Sequence, residues 1–236
     1  MRNRRWLQWV LVVVGFLLVA VTAGPFIYFN VIDDDDPPPL ELSDDTTGST
    51  ASADTSETTA ADEAIDGSWS VTTGSEAGYR AEEILFGQSG AAVGRTAQVS
   101  GTVEIADSTV TTTAISVDVA SIASGQDLRD SQFRGRIMDV ATFPTATFAL
   151  TEPVELDAVP AVGEDVTVPA TGDLTLRGQT RSVTVDLQAQ LRADGMLEIV
   201  GSIPVVWDDY AIPEPSGGPA QVGDEGDVEF LLVLAR

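Results

Sequence analysis

Three arginines lie within eight residues of one another, at Arg129, Arg134 and Arg136, in a chain that is otherwise strongly acidic. A guanidinium group presents planar N–H donors that suit a phosphate or another oxygen acceptor. We therefore regard Arg134 and Arg136 as candidate ligand-binding residues. The alternative is that these arginines pair with acids of the same segment, and for Arg129 we favour a structural pair with Asp130.

Two residue types that carry much of enzyme and metal chemistry are missing. The chain contains no Cys and no His, which removes thiolate nucleophiles, zinc–sulfur sites and the Ser-His-Asp arrangement. The acidic pairs Asp208-Asp209 and Asp224-Glu225 lack the spacing of a calcium loop, and neighbours on a strand point to opposite faces. We interpret both pairs as solvated surface, and we expect no metal, no cofactor and no catalytic residue.

The balance of charge narrows the partners further. The chain carries 37 acids against 12 bases, all of them Arg, for a formal net charge of -25. Phosphate backbones are bound by clustered positive charge. The composition therefore argues against nucleic acid as a partner.

An apolar segment near the N-terminus predicts a membrane anchor. Residues 6–29 carry no charged side chain, and about 20 apolar residues cross a bilayer as a helix. Arginines precede the segment within residues 1–5, and four aspartates follow it at residues 33–36. The positive-inside rule then makes residues 1–5 cytoplasmic and everything after the segment extracytoplasmic. We expect a single-pass signal-anchor helix in the cell membrane.

A cleaved signal peptide is the competing interpretation of the same segment. The arginine-rich start, the apolar run and Val21-Thr22-Ala23 match the three regions of a secretion signal. Apolar residues continue past Ala23 to Phe29, which favours the uncleaved anchor. N-terminal sequencing separates the two interpretations, because a mature chain that starts at Gly24 excludes an anchor.

Residues 30–66 differ in composition from what precedes and follows them. They contain twelve acids, no base and many Thr, Ser and Ala residues. Such a stretch buries too little apolar surface to offset its ordering entropy, and its like charges repel one another. We expect a disordered acidic linker that acts as a spacer. A glycosylated or partner-binding region is the alternative.

Residues 67–236 show the pattern of an antiparallel β-sheet. Short β-branched runs alternate apolar and polar residues with a period of two, and Gly, Asp and Pro separate them. Asp107-Ser108 and Asp194-Gly195 are candidate hairpin turns. We count about eight strands and one short helix near Gly125 to Ile137, which predicts an all-β domain. A closed barrel that leaves no exposed edges is the favoured architecture, and a β-sandwich is the alternative.

The segment from Trp69 to the C-terminus resembles the YceI family of bacterial secreted lipid-binding proteins. The resemblance rests on five pieces that occur in the family's order. They are Gly67-Ser-Trp69-Ser-Val71; Val99-Ser-Gly101-Thr-Val103; Val117-Asp-Val-Ala-Ser121-Ile122 with Leu128-Arg129-Asp130; Phe133, Met138-Asp139-Val140 and Phe143-Pro144-Thr-Ala-Thr147-Phe148; and Gly172-Asp-Leu174-Thr175-Leu176-Arg-Gly178-Gln-Thr180-Arg181-Ser-Val183.

The resemblance implies an extended lipocalin-like antiparallel barrel that binds an isoprenoid lipid, such as a quinone or a polyprenyl phosphate, without catalysis. The chain departs from the family in lacking His, in having Ser182 where Pro is usual, and in the stretch 213–220, which lacks a bulky apolar residue. The aromatic residues in or beside the matching pieces are the candidate lining of the lipid site, with a purely structural core as the alternative. These candidates are Phe86, Phe133, Phe143, Phe148 and Tyr210. For such a lipid, Arg134 and Arg136 are the candidates that hold the phosphate or quinone oxygen of the head group.

Three functions remain open from the sequence. The first is non-enzymatic binding of an isoprenoid lipid in an extracytoplasmic barrel that an N-terminal helix tethers to the membrane. The second is an extracytoplasmic protein-interaction module whose barrel is filled by side chains and whose acidic surface binds the partner. The third, which we favour least, is an enzyme that acts on a lipid or quinone without His.

Overall fold

The computed structural model describes residues 37–43, 65–156, 160–217 and 220–236. Twelve strands lie in these ranges, compared with the eight or so that we count in the sequence. They are β1 Gly67–Val71, β2 Glu76–Leu85, β3 Gln88–Thr96, β4 Val99–Ala106, β5 Thr109–Asp118, β6 Thr145–Leu150, β7 Val154–Glu155, β8 Asp165–Leu176, β9 Gln179–Leu191, β10 Leu197–Val206, β11 Ala220–Val222 and β12 Glu225–Ala235.

The predicted cytoplasmic N-terminus and anchor helix, residues 1–29, lie outside the described residues. Within the described ranges, no helix has both the length and the apolar character that crossing a bilayer requires.

Eight strands form a closed antiparallel circuit in the order β1-β4-β5-β6-β8-β9-β10-β12. Strand β1 closes it, because Trp69 pairs with Val103 of β4 while Val71 pairs with Leu234 of β12. A closed circuit leaves no free edge within it. The predicted all-β barrel of about eight strands is therefore confirmed, and the alternative β-sandwich is wrong.

Both predicted hairpin turns join consecutive strands. Asp107 and Ser108 have φ angles of 52° and 57° between β4 and β5, as expected for a two-residue turn with left-handed backbone. Their N–H groups donate to the carboxylate of Asp66 at 3.1 and 3.2 Å. Gly195, with φ of 82°, turns the chain between β9 and β10.

One end of the barrel carries additional structure, and we call it the mouth. Strand β2 pairs with β12, β3 and β11 there, and β3 and β11 lie outside the circuit of eight. The α-helix α1 (Asp127–Gln132) continues into a π-helical turn, Phe133–Ile137. The helix predicted near Gly125 to Ile137 is thus confirmed as a short helix with an irregular last turn.

The interior of the barrel divides into two apolar clusters. The cluster at the far end surrounds Trp69 and Leu234, which are 1% and 0% exposed. The indole N–H of Trp69 donates to the backbone oxygen of Ile65 at 2.7 Å, and Ile65 is itself buried. Entry of the chain into the barrel is therefore fixed at the far end. The second cluster surrounds Val205, Tyr210 and Phe133 toward the mouth.

Parts of the predicted disordered linker lie against the barrel. Pro37–Ser43 contacts the outer face of the wall through hydrogen bonds to Arg80, Arg95 and Glu198. Residues 65 and 66 pack on the far end. The structure therefore corrects the linker prediction for these nine residues, because their backbone and side-chain polar groups find partners on the barrel. The remaining residues of 30–66 lie outside the described ranges, and their disorder stays a prediction.

Replacement of Trp69 by Ala should lower the free energy of unfolding by about 3–5 kcal/mol, because it leaves a cavity in the best-buried cluster. Denaturant titration of the full chain measures the change. Phe86→Ala is the matched control, since Phe86 is 66% exposed and a surface truncation of this kind costs about 0.5 kcal/mol or less. Equal costs for the two substitutions would contradict the assigned core.

Candidate functional site

An apolar cavity of about 130 Å³ lies inside the barrel, and we call it the inner cavity. Its wall consists of inward-facing side chains from both halves of the circuit of eight strands. Among them are Ile115, Phe148, Leu174, Leu187, Ile203 and Phe230. This predominantly apolar wall favours burial of a hydrocarbon chain.

A larger cavity of about 500 Å³ lies at the mouth, between the barrel rim and helix α1 with its π-helical turn. Strands β2 and β11 and the loop after β10 form its remaining walls. Five residues line both this mouth cavity and the inner cavity, so the two spaces adjoin. They are Ala77, Val117, Ala146, Leu176 and Val228. Two of the five are alanines, and their small side chains limit obstruction at the junction.

Strand β2 places one charged residue among apolar residues on the face that lines the mouth cavity. Ala77, Tyr79, Ala81, Glu83 and Leu85 all line that cavity, as the period of two along a strand requires. Glu83 is 8% exposed, and a buried carboxylate is stable only with a hydrogen-bonded partner.

Arg129 of helix α1 provides that partner by donating to the carboxylate of Glu83. Both residues line the mouth cavity. The expected pair between Arg129 and Asp130 is wrong, because Asp130 instead accepts from the backbone N–H and the hydroxyl of Ser124 at 2.8 and 2.7 Å. The pair between Glu83 and Arg129 therefore puts one positive and one negative charge in the wall of the mouth cavity.

Tyr79 and Phe133 form an aromatic stack at the mouth, with ring centroids 4.8 Å apart and planes inclined by 20°. A Cβ on Gly94 of β3 would lie 2.5 Å from the Tyr79 ring, so the glycine is what lets the ring lie flat on the wall. Burial raises the pKa of the Tyr79 hydroxyl to about 12, although the nearby Arg129 guanidinium acts in the opposite direction. The hydroxyl is therefore protonated at neutral pH.

The two arginines predicted to hold a head group have different surroundings. Arg136 lines the mouth cavity and donates to the backbone oxygens of Glu214, Pro215 and Ser216 at 2.7, 3.0 and 3.4 Å. Arg134 donates to the backbone oxygen of Ile122 at 3.2 Å and does not line the mouth cavity. The structure thus places only Arg136 of this pair at the cavity wall.

The five predicted aromatic residues also lie in different surroundings. Phe133 lines the mouth cavity and Phe148 the inner cavity. Tyr210 is 3% exposed and belongs to the core cluster toward the mouth. Burial raises the pKa of its hydroxyl. Phe143 lies over the turn after β8, with the Arg177 guanidinium 5.9 Å from its ring centre. Phe86 lies in the turn after β2, 66% exposed.

The sequence interpretation missed Tyr79, Glu83 and Arg129 as residues of the mouth. The alternation of Ala77, Tyr79, Ala81 and Glu83 was the available signal, since it places a single acid on an apolar face. Only the fold brings Glu83 to Arg129, which lies 46 residues away in the chain. Among the residues that the structure describes, no group of three or more acidic side chains is arranged to hold a metal ion.

Comparison with known proteins gives one family and several structures. Residues 69–234 match the YceI-like domain. A polyisoprenoid binding domain from Saccharophagus degradans implicated in plant cell wall breakdown superposes with a TM-score of 0.56 at 20% identity, covering 70% of this chain and 97% of that one. Burkholderia cenocepacia BcnA superposes with a TM-score of 0.52 at 21% identity, covering 69% and 98%. No curated protein matches the chain.

The raised pKa of Tyr79 predicts a pH dependence of stability. An unfolded tyrosine ionises near pH 10, whereas the folded value is about 12. The stabilisation is therefore fully present below pH 10 and is lost as the pH rises toward 12. Unfolding free energies measured between pH 9 and 12 should fall less steeply for Tyr79→Phe than for the wild type. Parallel curves for the two proteins would show that Tyr79 is not buried as described.

Proposed function

The chain belongs to the YceI-like domain family, and on that premise we propose that it binds an isoprenoid lipid of the quinone or polyprenyl phosphate type without chemical conversion. The prenyl tail would occupy the inner cavity, and the head group would lie in the mouth cavity. The YceI-like domain is a binding fold rather than a known enzyme family. The Saccharophagus degradans relative is named a polyisoprenoid binding domain, which supports the same ligand class here.

The single observation that carries this proposal is that an apolar inner cavity adjoins a mouth cavity with polar groups. A prenyl lipid has the same order of parts, because a long apolar tail ends in one polar group. Apolar burial contributes about 25 cal/mol per Å² of surface removed from water, so the tail would supply most of the affinity. The polar groups would set which head is accepted.

The head group would meet two kinds of donor in the mouth cavity. The Arg129 guanidinium already pairs with Glu83, so an anionic head would compete with that carboxylate. Within the described part of the chain, the Arg136 guanidinium donates to neutral oxygens, and its charge is therefore available to a phosphate or a quinone oxygen. We assign Arg136 as the main head-group contact.

The proposal includes the location of the domain. An N-terminal helix at residues 6–29 would hold the barrel at the extracytoplasmic side of the cell membrane, as the arginines before it and the aspartates after it favour. Isoprenoid lipids reside in that membrane because of their long apolar tails. A tethered binder would thus remain next to the source of its ligand.

Organic extraction and mass spectrometry of the full chain, purified from membranes in mild detergent, test the proposal directly. A stoichiometric prenyl lipid in the extract supports it. A lipid-free extract from protein with a folded barrel contradicts it and favours the interaction module with an acidic binding surface.

Closing the junction between the cavities should remove tail binding. Ala146→Phe places a ring where the two cavities adjoin, and we expect bound prenyl lipid to fall by about tenfold or more because the tail can no longer pass. Ala149→Phe is the matched control, since Ala149 lies on the same strand with its side chain exposed. Equal lipid content in the two variants, both folded by circular dichroism, would refute the path of the tail.

Substitutions of Arg136 and of Arg134 distinguish a specific loss of head-group binding from a general loss of structure. Arg136→Ala should weaken binding of a prenyl phosphate by about tenfold, as expected for loss of a charge-assisted hydrogen bond, and should leave binding of a headless isoprenoid hydrocarbon unchanged. Arg134→Ala should leave both affinities near the wild-type values, because that side chain does not line the cavity. Fluorescence competition with both ligands measures the four affinities. Loss of hydrocarbon binding in Arg136→Ala would rule out a head-group role.

A further inference from the structure

The outer face of the barrel wall buries two acids that point away from the interior. Glu198 of β10 is 1% exposed and Glu229 of β12 is 4% exposed. Neither lines the inner or the mouth cavity. A carboxylate on an outer face is ordinarily solvated, and burial there requires cover as well as partners.

Pro37–Ser43 lies over this face, and its two ends bind the groups around the buried acids. The backbone N–H and the hydroxyl of Ser43 each donate to the Glu198 carboxylate at 2.9 Å. The third donor to that carboxylate is Arg192, at 2.7 Å. A single residue of the predicted linker, Ser43, therefore supplies two hydrogen bonds to the Glu198 carboxylate.

The other end of the segment is held through Glu229. Arg80 and Arg95 both donate to the Glu229 carboxylate, at 3.2 and 2.8 Å through Nε. A second nitrogen of Arg80 donates to the backbone oxygen of Pro37 at 2.6 Å, and one of Arg95 donates to that of Pro38. Glu229 thus orients two guanidinium groups so that both reach the first carbonyls of the segment.

The residue types of the segment suit docking. Proline fixes its own φ angle and lacks an N–H group, so Pro37, Pro38 and Pro39 present carbonyls at a low entropic cost. Leu40 and Leu42 are half-buried, while Glu41 between them is exposed. This is the alternation of an extended chain with one face on a surface. The segment is therefore a fitted strap on the barrel.

The strap has a direction relative to the mouth. Arg80, which binds Pro37, pairs in register with Asp227, two residues from the start of β12 at the mouth. Glu198, which binds Ser43, pairs with Val233, two residues from the end of β12 at the far end. The N-terminal end of the strap therefore lies toward the mouth. The chain from the predicted anchor would reach the barrel at that end.

We infer that docking of the strap Pro37–Ser43 on the barrel holds the barrel beside the membrane, with the mouth facing the bilayer. Seven residues, 30–36, separate the strap from the predicted anchor, and seven residues span about 25 Å at most. A free linker of 37 residues would reach about 130 Å. The inference rests on the proposed function, since it assumes the anchor and gives the orientation that lipid entry from the bilayer requires.

Docking of the strap is tested first, on the full chain in lipid nanodiscs. A Glu-specific protease should cut at Glu41 about tenfold more slowly than at Glu57 of the predicted linker, because cleavage requires the docked segment to open. The double variant Leu40→Ser, Leu42→Ser should remove this protection. Glu82→Gln serves as the control, since Glu82 is exposed on β2. Equal cleavage at Glu41 and Glu57 in the wild type would overturn the strap.

Orientation is tested with fluorescent labels. The chain contains no Cys, so a single cysteine can be placed at the mouth by Ser131→Cys or near the far end by Ala193→Cys, both at exposed positions. Energy transfer to a dye in the nanodisc lipid should be stronger from position 131 than from position 193. The double leucine variant should lose that difference while Glu41→Gln keeps it.

The two proposals fail in different ways. Equal transfer from the two labels, in protein that is membrane-anchored and contains prenyl lipid, would overturn the orientation and leave the proposed function intact. Absence of prenyl lipid together with unequal transfer would overturn the ligand and leave the strap intact. Recovery of the chain without its N-terminal segment would overturn the anchor on which the orientation depends.

Discussion

Closure of the barrel by β1 is the constraint on which the other features depend. This short strand pairs with β4 along most of its length and with β12 at its end, and it thereby turns a sheet into a wall with an inside and an outside. A barrel of about eight strands has room for its own side chains or for one small ligand. Side-chain volume then decides between the two, and the small side chains of Ala77 and Ala146 lie where the inner and mouth cavities adjoin.

Strand β2 contributes one residue to each of two buried ion pairs, which lie on opposite sides of that wall. On β2, Glu83 faces the mouth cavity and pairs with Arg129, while Arg80 faces outward and pairs with Glu229. Their positions differ by an odd number of residues, so the pleat sends them to opposite faces. Each pair satisfies a carboxylate that would be costly to bury alone. The inner pair gives the mouth its polarity, and the outer pair prepares the surface that the strap covers.

The sequence predicted what depends on local pattern. Alternation and turn residues such as Asp107-Ser108 indicated β5, β6, β9, β10 and β12, two hairpin turns and the all-β class, because these follow from near neighbours along the chain. It did not predict the partner of Arg129, since Glu83 comes next to helix α1 only in the closed fold. The strap was missed for a related reason. Its three prolines and the acidic residues on both sides of it in the chain are typical of disorder, and the alternation of Leu40, Glu41 and Leu42 is too short to outweigh that composition.

In the proposed arrangement at the membrane, the negative charge of the chain and the docked strap have opposite effects on the distance between barrel and bilayer. A chain with a net charge of -25 is repelled by anionic lipid head groups, and this repulsion falls off within a Debye length of about 8–10 Å at physiological salt. A docked strap permits a separation of at most about 25 Å. The linker would therefore keep the barrel within about 25 Å of the membrane. Charge repulsion would keep it more than a Debye length away from the lipid head groups. Such a gap would keep the acidic surface hydrated while the mouth stayed near the bilayer. Under this arrangement the linker residues before the strap would matter more for function than the longer stretch after it.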